Sequence, residues 1–273
     1  MTGDSILSKV HARIQASQVV DKPGRYFLRE VAAIPSAKLG FLATTDTYRV
    51  DGRTVTLKHD SNTSFVFREM FVDRRYAPPP EIASMLATDR PLTILELGGH
   101  IGLFGLYASI EWPKCEIRAF EPDPTNAAKY RQLIADNHFD WNLTAACAGN
   151  RNGTVHFSAI GSGDSSISQD GIGSLVPIVD VVPLFETADL VKMDIEGGEW
   201  EILADERLSS GSNTRTPVVV MEYHPYSCPG DDPRQLAIQL LHAAGYRTRP
   251  ICHGADGVGM LWAYRPSPDP IQN

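Results

Sequence analysis

Cysteine is scarce in this chain, and the cysteines that occur are not grouped. Four are present among 273 residues, and no C-x-x-C pair can be found. Because a cysteine zinc site needs several thiolates close together, we expect no such site here. Cys115 and Cys147 fall in or beside strand-like segments, where buried thiols are common.

Long apolar runs are missing as well. No stretch of 18 consecutive apolar residues occurs, so we expect no membrane-spanning helix. The opening sequence MTGDSILSKVHARIQ is polar and amphipathic and lacks the apolar core of a signal peptide. These two absences predict a cytoplasmic protein, in which a disulfide framework is not expected.

An excess of positive charge is also absent. Asp and Glu number 33 against 25 Lys and Arg, which gives a net charge of −8. This balance argues against non-specific binding of nucleic acid and against an anionic membrane surface. We therefore expect no nucleic acid and no membrane among the partners.

Two common nucleotide-binding motifs do not occur. The chain has no G-x-x-x-x-G-K-[ST] string, which excludes a P-loop, and its glycines lack the G-x-G-x-x-G spacing of the dinucleotide fingerprint. It has instead an apolar strand pattern at 92–96, a glycine-rich turn at 98–102, an apolar helix, and a second strand that ends at Glu121.

This strand, turn, helix and strand unit predicts a binding site for an adenosine-containing cofactor. Glycines let a backbone approach a ligand closely. A carboxylate at the end of the second parallel strand can accept hydrogen bonds from both ribose hydroxyls, and Glu121 has that position. A nicotinamide or flavin cofactor, or a turn that holds no ligand, are the alternatives that the residues leave open.

Strand and helix patterns alternate from residue 92 onward. Strands are predicted at 92–96, 115–121, 143–148, 154–158, 178–182, 190–195, 218–223, 245–251 and 258–264, with helices at 102–110, 124–137, 199–208 and 233–244. This alternation predicts an α/β fold with a doubly wound, mostly parallel sheet and an antiparallel last strand. A Gly- and Ser-rich segment, residues 161–174, shows no apolar period and predicts a mobile loop.

The first 80 residues predict an extension ahead of this fold. A helix pattern near the N-terminus is followed by a hairpin whose turn is Asp51-Gly52, and residues 63–71 favour a further helix. The stretch Ala77-Pro78-Pro79-Pro80 ends the extension. We therefore divide the chain into an extension, residues 1–80, and a cofactor-binding domain, residues 81–273. Together with the Gly- and Ser-rich loop, the extension is expected to cover the substrate.

Several polar motifs each follow a predicted strand. They lie at 96–102, 121–123, 147–148, 194–199 and 222–225. In open α/β sheets, ligands bind at the carboxyl ends of the strands, near the point where the strand order reverses. The motifs are therefore expected to form a single site at that edge.

The string VKMDIEGGE at residues 191–199 resembles the K-x-D-x-E-G-x-E signature of FkbM-type methyltransferases. Segments 96–102, 120–122 and 222–225 agree with the same family in order and spacing, and the resemblance extends from about residue 63 to 265. It implies a class I methyltransferase fold with a seven-stranded, Rossmann-like sheet. It also implies S-adenosylmethionine (SAM) as the cofactor.

The first of these segments departs from the family's usual D-x-G-A-N-x-G pattern. Glu96 stands in place of the Asp and keeps its charge on a longer side chain, and His100 stands in place of the Asn. The resemblance still implies cofactor binding, with altered contacts at these two positions.

The implied SAM-binding residues all lie at or near the strand ends. They are Glu96, Gly98, Gly99, His100, Gly102, Glu121, Pro122, Cys147 and Asp194. Glu96 would steer the methionine ammonium group, Glu121 would bind the ribose hydroxyls, and Cys147 would line the adenine ring. The competing interpretations are structural: a helix-dipole partner for Glu96, a solvated acid for Glu121, core packing for Cys147, and tight helix–strand packing for the glycines.

Asp194 and His224 are the predicted catalytic residues. Asp194 would orient the hydroxyl of a methyl acceptor or take its proton, while His224, with an intrinsic pKa of about 6.5, suits a general base. A turn cap is the structural alternative for Asp194, and a hydrogen-bonded structural histidine is the alternative for His224. Glu196 and Glu199 are assigned structural roles, since the helix dipole favours an acid in the first turn.

A metal ion is not favoured. Asp194, Glu222 and His224 could offer ligands to magnesium at one sheet edge, but the family signature does not require an ion.

The predicted function is SAM-dependent O-methylation of a hydroxyl on a small molecule, such as a natural product, sugar or glycan-like acceptor, with the help of a base. N-methylation of a small molecule or peptide, and a SAM-binding scaffold without catalysis, are the alternatives. A homodimer is an open possibility, because the N-terminal helix carries an apolar stripe.

Overall fold

The computed structural model describes residues 6–39, 45–59, 63–159, 165–168, 171–209 and 217–265. Its contacts divide the chain into two compact units, each built from several stretches of sequence. The helical unit comprises Met1–Ala77, Ile101–Pro113 and Ala128–Asp140, and the sheet unit comprises Pro78–His100, Lys114–Ala127 and Trp141–Asn273. Within the described ranges, no helix has both the length and the apolar character needed to cross a membrane.

The elements are numbered in chain order. The helices are α1 Ile6–Gln18, α2 Pro23–Leu39, α3 Thr63–Phe71, α4 Pro80–Leu86, α5 Leu103–Glu111, α6 Pro124–Asn137, α7 Glu199–Leu203 and α8 Pro233–Ala243, with 3-10 helices at Val182–Thr187 and Glu206–Leu208. The strands are β1 Thr45–Val50, β2 Arg53–Lys58, β3 Thr93–Leu97, β4 Glu116–Phe120, β5 Asn142–Thr144, β6 Cys147–Gly149, β7 Gly153–Ser158, β8 Ser166–Ile167, β9 Ser174–Asp180, β10 Leu190–Met193, β11 Val218–Tyr223, β12 Arg247–His253 and β13 Gly259–Tyr264.

The hairpin of β1 and β2 lies where the sequence predicts it. The strands are antiparallel, and Val50 pairs with Arg53 across the two-residue turn Asp51-Gly52. Both turn residues have positive φ values, 46° and 84°. Asp and Gly adopt this backbone at low cost, which is why an Asp-Gly pair between two strand patterns indicates a type I′ turn.

Aromatic side chains form the centre of the helical unit. Tyr26 of α2 packs edge-on against Tyr48 of β1, with ring centroids 5.3 Å apart, and Phe67 of α3 lies 5.5 Å from Tyr26. All three side chains are buried. The helix predicted at 63–71 is confirmed as α3, whereas α2 has no counterpart among the predicted elements.

The sheet unit is organised around a seven-stranded sheet with the strand order β12-β13-β11-β10-β3-β4-β5. Strands β5, β4, β3, β10 and β11 run parallel, and β13 is antiparallel to both of its neighbours. The predicted α/β class, with a mostly parallel seven-stranded sheet and an antiparallel last strand, is therefore confirmed. The chain proceeds from β3 to β4 and β5 and returns on the other side of β3 as β10. The strand order therefore reverses between β3 and β10, where α/β sheets bind ligands.

One face of this sheet covers a continuous apolar cluster. Alternate residues of the central strands contribute to it: Leu95 and Leu97 from β3, Val191 and Met193 from β10, and Val219 and Met221 from β11. Trp200 of α7 and Leu241 of α8 belong to the same cluster. Each such buried side chain contributes about 1.5–3 kcal/mol. This core holds β3, β10 and β11 side by side, and their carboxyl ends carry the candidate site.

The sheet unit also contains a second sheet, with the strand order β6-β9-β7-β8. Because of it, the prediction of one strand at the end of the main sheet is wrong. The strand predicted at 143–148 is in fact two, since β5 belongs to the seven-stranded sheet and β6 to the second. The chain bends between them because the Ala146 N–H donates to the Thr144 carbonyl, 3.0 Å away. A three-residue turn of this kind carries no distinctive sequence pattern.

The same sheet also accounts for the region after residue 150. The antiparallel strand predicted at 154–158 is confirmed as β7, which pairs with β9. The strand predicted at 178–182 ends at Asp180 as part of β9, and a 3-10 helix follows it. The Gly- and Ser-rich segment contains β8, while residues 161–164 and 169–170 of the predicted mobile loop lie outside the described residues.

Candidate active site

Gly98 follows β3 directly and makes a close backbone contact. Its φ is +78°, and a Cβ at this position would lie 1.7 Å from the carbonyl oxygen of Asp194. The Gly98 and Gly99 N–H groups donate to the Phe120 carbonyl at 3.1 and 2.8 Å. Glycine is therefore required here by packing against the loop after β10, and the predicted approach of a cofactor would use the same turn.

Glu121 lies at the carboxyl end of β4 and is almost fully buried. Its Oε2 accepts a hydrogen bond from His100 N at 2.6 Å, and its Oε1 accepts one from Asp123 N at 2.8 Å. Burial raises the pKa of Glu121 to about 7, even though these two hydrogen bonds act in the opposite direction. His100 has a positive φ of 48°, so the residue that replaces the family's Asn presents its backbone N–H to Glu121.

Asp123 connects this strand end to α6 and to the segment that contains β8. Its Oδ1 accepts from Thr125 N at 2.8 Å and from Asn126 N at 3.2 Å, so Asp123 caps the beginning of α6. Its Oδ2 accepts from the Ser165 hydroxyl at 2.9 Å. Sequence reasoning missed this second role, because the partners are 42 positions apart and form no local pattern.

Glu96 and Lys192 are buried charges on adjacent strands. They are register partners across β3 and β10. Lys192 Nζ donates to the Gly98 carbonyl at 2.6 Å and lies 3.2 Å from Asp194 Oδ2. Lys192 belongs to the family signature but had no predicted role. Its contacts tie the turn after β3 to the loop after β10.

The remaining predicted cofactor residues have separate surroundings. Cys147 opens β6 and packs with Phe157 and Ile178, and burial raises the pKa of its thiol to about 12. Pro122 follows Glu121 and is partly exposed. Gly102 belongs to the helical unit, where it caps α5 with a φ of +87°, and a Cβ there would lie 2.5 Å from the Tyr130 ring.

Asp194, Glu196 and His224 form a cluster at the carboxyl ends of β10 and β11. The His224 Nε2 lies 3.3 Å from Glu196 Oε2 and 3.9 Å from Asp194 Oδ1. Glu196 also accepts a hydrogen bond from the Tyr226 hydroxyl. Glu222, which the sequence suggested as a partner of Asp194 and His224, is not part of the group of possible metal ligands in the described residues.

Glu199 orients the histidine of this cluster. Its Oε1 accepts from the His224 backbone N at 2.7 Å and lies 3.0 Å from His224 Nδ1, and its Oε2 accepts from Gly197 N at 2.9 Å. Because an ionised carboxylate can only accept, Nδ1 carries a hydrogen. The other ring nitrogen, Nε2, therefore faces Asp194 and Glu196. Glu199 is fully buried, and its part in the site was not foreseen from its place in the first turn of α7.

The carboxylates change the proton affinity of His224. Burial alone would lower the pKa of His224, but the hydrogen bond to Glu199 and the charges of Asp194 and Glu196 raise it to about 9. The pKa of about 6.5 expected from the sequence therefore does not apply in this fold. Burial also acts to raise the pKa of Asp194, yet the charges of Lys192 and His224 hold it below its ordinary value.

A comparison with known protein families agrees with the family signature at residues 191–199. The family model described as "Methyltransferase FkbM domain" matches residues 96–248, more than half of the chain. That range includes the turn after β3, Glu121 and the Asp194–Glu196–His224 cluster.

Two curated proteins are similar to parts of the chain. "Methyltransferase 1" of Beauveria bassiana (strain ARSEF 2860) is 23% identical over 171 residues, which are 51% of this chain and 65% of that protein. "31-O-demethyl-FK506 methyltransferase FkbM" of Streptomyces tacrolimicus is 31% identical over 81 residues, which are 30% of this chain and 29% of that protein. The chain thus spans less than two thirds of the length of either relative.

One similar solved structure is that of M. jannaschii TYW2 in complex with AdoMet. The match covers 81% of this chain and 85% of that chain, at 13% identity and a TM-score of 0.42. This likeness is too weak to add an argument. The match of the family model, over more than half of the sequence, is decisive: the chain belongs to the FkbM family of SAM-dependent methyltransferases.

Proposed function

We propose that this methyltransferase transfers a methyl group from SAM to a hydroxyl group of a small molecule, such as a natural product, sugar or glycan-like acceptor. The observation that carries the proposal is the joint presence, at one edge of the sheet, of a buried carboxylate suited to ribose and a cluster able to receive a proton. The name of the Streptomyces relative, which specifies a 31-O-demethyl acceptor, supports transfer to oxygen.

The residues of the sheet unit fit the cofactor. Glu121 is buried, and two backbone N–H groups fix the direction of its carboxylate. Each oxygen keeps a lone pair that can accept a hydrogen bond from a ribose hydroxyl. Gly98 and Gly99 would bring the backbone close to the cofactor, Glu96 would attract the ammonium group, and Cys147 would lie beside the adenine ring.

Next to Glu121, Pro122 and His100 are also proposed to contact SAM. Gly102, at the start of α5, is the last of the proposed SAM-binding residues. When bound, SAM supplies a methyl group that is already activated for transfer. The protein has then to align the acceptor and to remove its proton, and alignment alone can lower the barrier by several kcal/mol.

Asp194 and His224 are the proposed catalytic residues at the acceptor. Asp194 Oδ1 and His224 Nε2 are 3.9 Å apart, close enough for both to reach one hydroxyl. Asp194, whose pKa is held below its ordinary value, is ionised at neutral pH and would receive the hydroxyl proton, whereas His224 can do so only in its neutral form because its pKa is raised to about 9. A positioned base typically contributes about 10²–10⁴ in rate. Lys192 would keep the Asp194 carboxylate oriented through its contact with Oδ2. The small-molecule acceptor and the cytoplasmic location remain predictions.

The first test is a calorimetric titration of the purified protein with SAM and with S-adenosylhomocysteine. We expect wild-type binding in the micromolar range and a loss on the order of 100-fold in the Glu121→Ala variant, since two charged hydrogen bonds would be removed. Glu116→Ala is the matched control, because Glu116 is an exposed acid at the opposite end of the same strand. Wild-type protein that binds NADH but not SAM would overturn the proposal.

A further inference from the structure

The Asp194–Glu196–His224 cluster has a donor set that suits a metal ion. One imidazole nitrogen and two carboxylates offer ligand atoms that lie within 4.8 Å of one another. With metal–ligand bonds of about 2.1 Å, donors at right angles are roughly 3 Å apart and opposite donors roughly 4 Å apart. The distances from His224 Nε2, 3.3 Å to Glu196 and 3.9 Å to Asp194, fall in that interval.

Each of the three residues also contacts a further group. His224 Nδ1 donates to the fully buried Glu199, Asp194 Oδ2 lies 3.2 Å from Lys192 Nζ, and Glu196 accepts from the Tyr226 hydroxyl. Metal-bound histidines almost always donate their other ring N–H to a carboxylate or carbonyl, and metal-bound carboxylates are hydrogen-bonded in turn. The contacts of His224 and Asp194 use atoms other than the donor atoms, Nδ1 and Oδ2, and so leave Nε2 and Oδ1 for an ion. The Tyr226 hydroxyl donates to Glu196 Oε2, the oxygen nearest His224 Nε2, and fixes its position.

The cluster and its neighbours contain more carboxylates than cationic side chains, which favours the binding of a cation. Asp194, Glu196 and Glu199 bring three negative charges, and Lys192 brings one positive charge. The carboxylates therefore outnumber the ammonium group around an imidazole that is only 3% exposed. Buried charge that is not compensated is costly, and one divalent ion would balance it.

We infer that this cluster is a binding site for a divalent transition-metal ion of the manganese, iron or zinc type. Mixed nitrogen and carboxylate donors suit such ions, whereas magnesium prefers oxygen ligands alone. The inference rests on the proposed function only for what the ion would do there: an open coordination position would face the acceptor oxygen and lower the pKa of its hydroxyl. With Nε2 bound to the ion, His224 would hold the ion and would not itself be the base. Binding itself requires neither the cofactor nor the acceptor.

The test is a titration of the full chain with Mn²⁺, without SAM or acceptor. The concentration of unbound Mn²⁺ is measured by electron paramagnetic resonance. We expect one ion per chain, and a loss of affinity of at least about 10-fold in Asp194→Asn and Glu196→Gln. Glu199→Gln should weaken binding about 10- to 100-fold although it supplies no ligand. Excess Zn²⁺ should displace the bound Mn²⁺, and an equal amount of Mg²⁺ should not.

Glu201→Gln is the matched control. Glu201 lies on the same helix as Glu199, is exposed, and pairs with Arg151, so its loss should leave the affinity for Mn²⁺ unchanged. Circular dichroism and urea denaturation establish that each variant is folded. No stoichiometric binding, or binding that the cluster variants do not alter, would overturn the inference. If SAM binds while Mn²⁺ does not, the inference fails and the proposed function stands; if Mn²⁺ binds while SAM does not, the reverse holds.

Discussion

Gly98 and Asp194 meet through their backbones at the point where the strand order reverses. A Cβ on Gly98 would lie 1.7 Å from the Asp194 carbonyl oxygen and 2.8 Å from the carbonyl carbon. Asp194 N donates to the Leu97 carbonyl at 3.1 Å, and Lys192 Nζ donates to the Gly98 carbonyl at 2.6 Å. The turn proposed to hold the cofactor and the loop proposed to face the acceptor are therefore packed as one piece.

Gly98→Ala should disrupt this contact. The new methyl group would collide with backbone atoms, which cannot move aside as a flexible side chain can, and a positive φ disfavours alanine in addition. We expect the free energy of unfolding to fall by about 3 kcal/mol or more, measured by urea denaturation. Gly24→Ala is the control, because nothing lies within 4 Å of a Cβ there. Equal stability of the two variants would contradict the packing argument.

The affinity for SAM should depend on pH through Glu121. Its pKa is raised to about 7, and the ionised form is the one that accepts hydrogen bonds from the ribose hydroxyls. As the pH falls below about 7, protonation competes with binding, so Kd should rise by about tenfold per pH unit. Calorimetry between pH 5.5 and 8.5, a range that brackets this pKa, measures the slope of log Kd against pH. In Glu121→Gln the slope should disappear, and a wild-type Kd that is constant over the range would contradict the assigned role.

The same raised pKa has a consequence for stability. Between the ordinary value of 4.5 and about 7, the folded chain keeps a proton on Glu121 that the unfolded chain has released. The contribution of this group to stability therefore falls as the pH rises through that window. Urea denaturation should show a stability of wild-type protein that declines relative to Glu121→Gln from pH 5 to pH 7.5. A constant difference between the two proteins would mean that Glu121 is not protonated in the fold.

Removal of Glu199 should be costly. Glu199→Ala leaves the backbone and ring N–H groups of His224 and the Gly197 N–H without their acceptor. Loss of one partner of a buried charged pair typically costs about 3–5 kcal/mol, which urea denaturation would measure. Glu201→Ala, an exposed change on the same helix, should alter stability by no more than about 0.5 kcal/mol. A cost below about 1 kcal/mol for Glu199→Ala would contradict its role in positioning His224.

Asp123 should act mainly as a helix cap. Asp123→Ala removes the acceptor of Thr125 N, Asn126 N and the Ser165 hydroxyl, and we expect a loss of about 1–2 kcal/mol. Asp123→Asn can still cap α6 and should retain most of the stability. Ser165→Ala removes the hydroxyl that donates to Asp123 and leaves the helix cap in place, and it should cost about 1 kcal/mol. A Ser165→Ala effect as large as that of Asp123→Ala would mean that the cap itself contributes little.

The parts of the fold that were predicted from the sequence are those set by residue types or by patterns along the chain. Asp51-Gly52 indicates its turn because the two residues tolerate the required backbone, and alternating strands and helices predict the parallel sheet. The division of one predicted strand into β5 and β6 depends on a hydrogen bond to the Thr144 carbonyl, which no residue type announces. For the site, Asp194 and His224 were predicted from their positions after strands. The contact of Glu199 with His224 joins residues 25 positions apart and needed the fold.

The carbonyl group of Thr144 has a consequence for how the cofactor site can evolve. It accepts from Glu121 N at 3.1 Å and from Ala146 N at 3.0 Å, so one peptide oxygen joins the end of β4 to the beginning of β6. The proposed ribose-binding carboxylate and the proposed adenine-lining thiol are thereby spaced by main-chain atoms. A change of side chain at the exposed Ala145 should not alter that spacing, whereas Ala146 is also buried in the apolar cluster under the sheet. Homologues that have lost all sequence identity in this bend should still measure the same distance between the two positions.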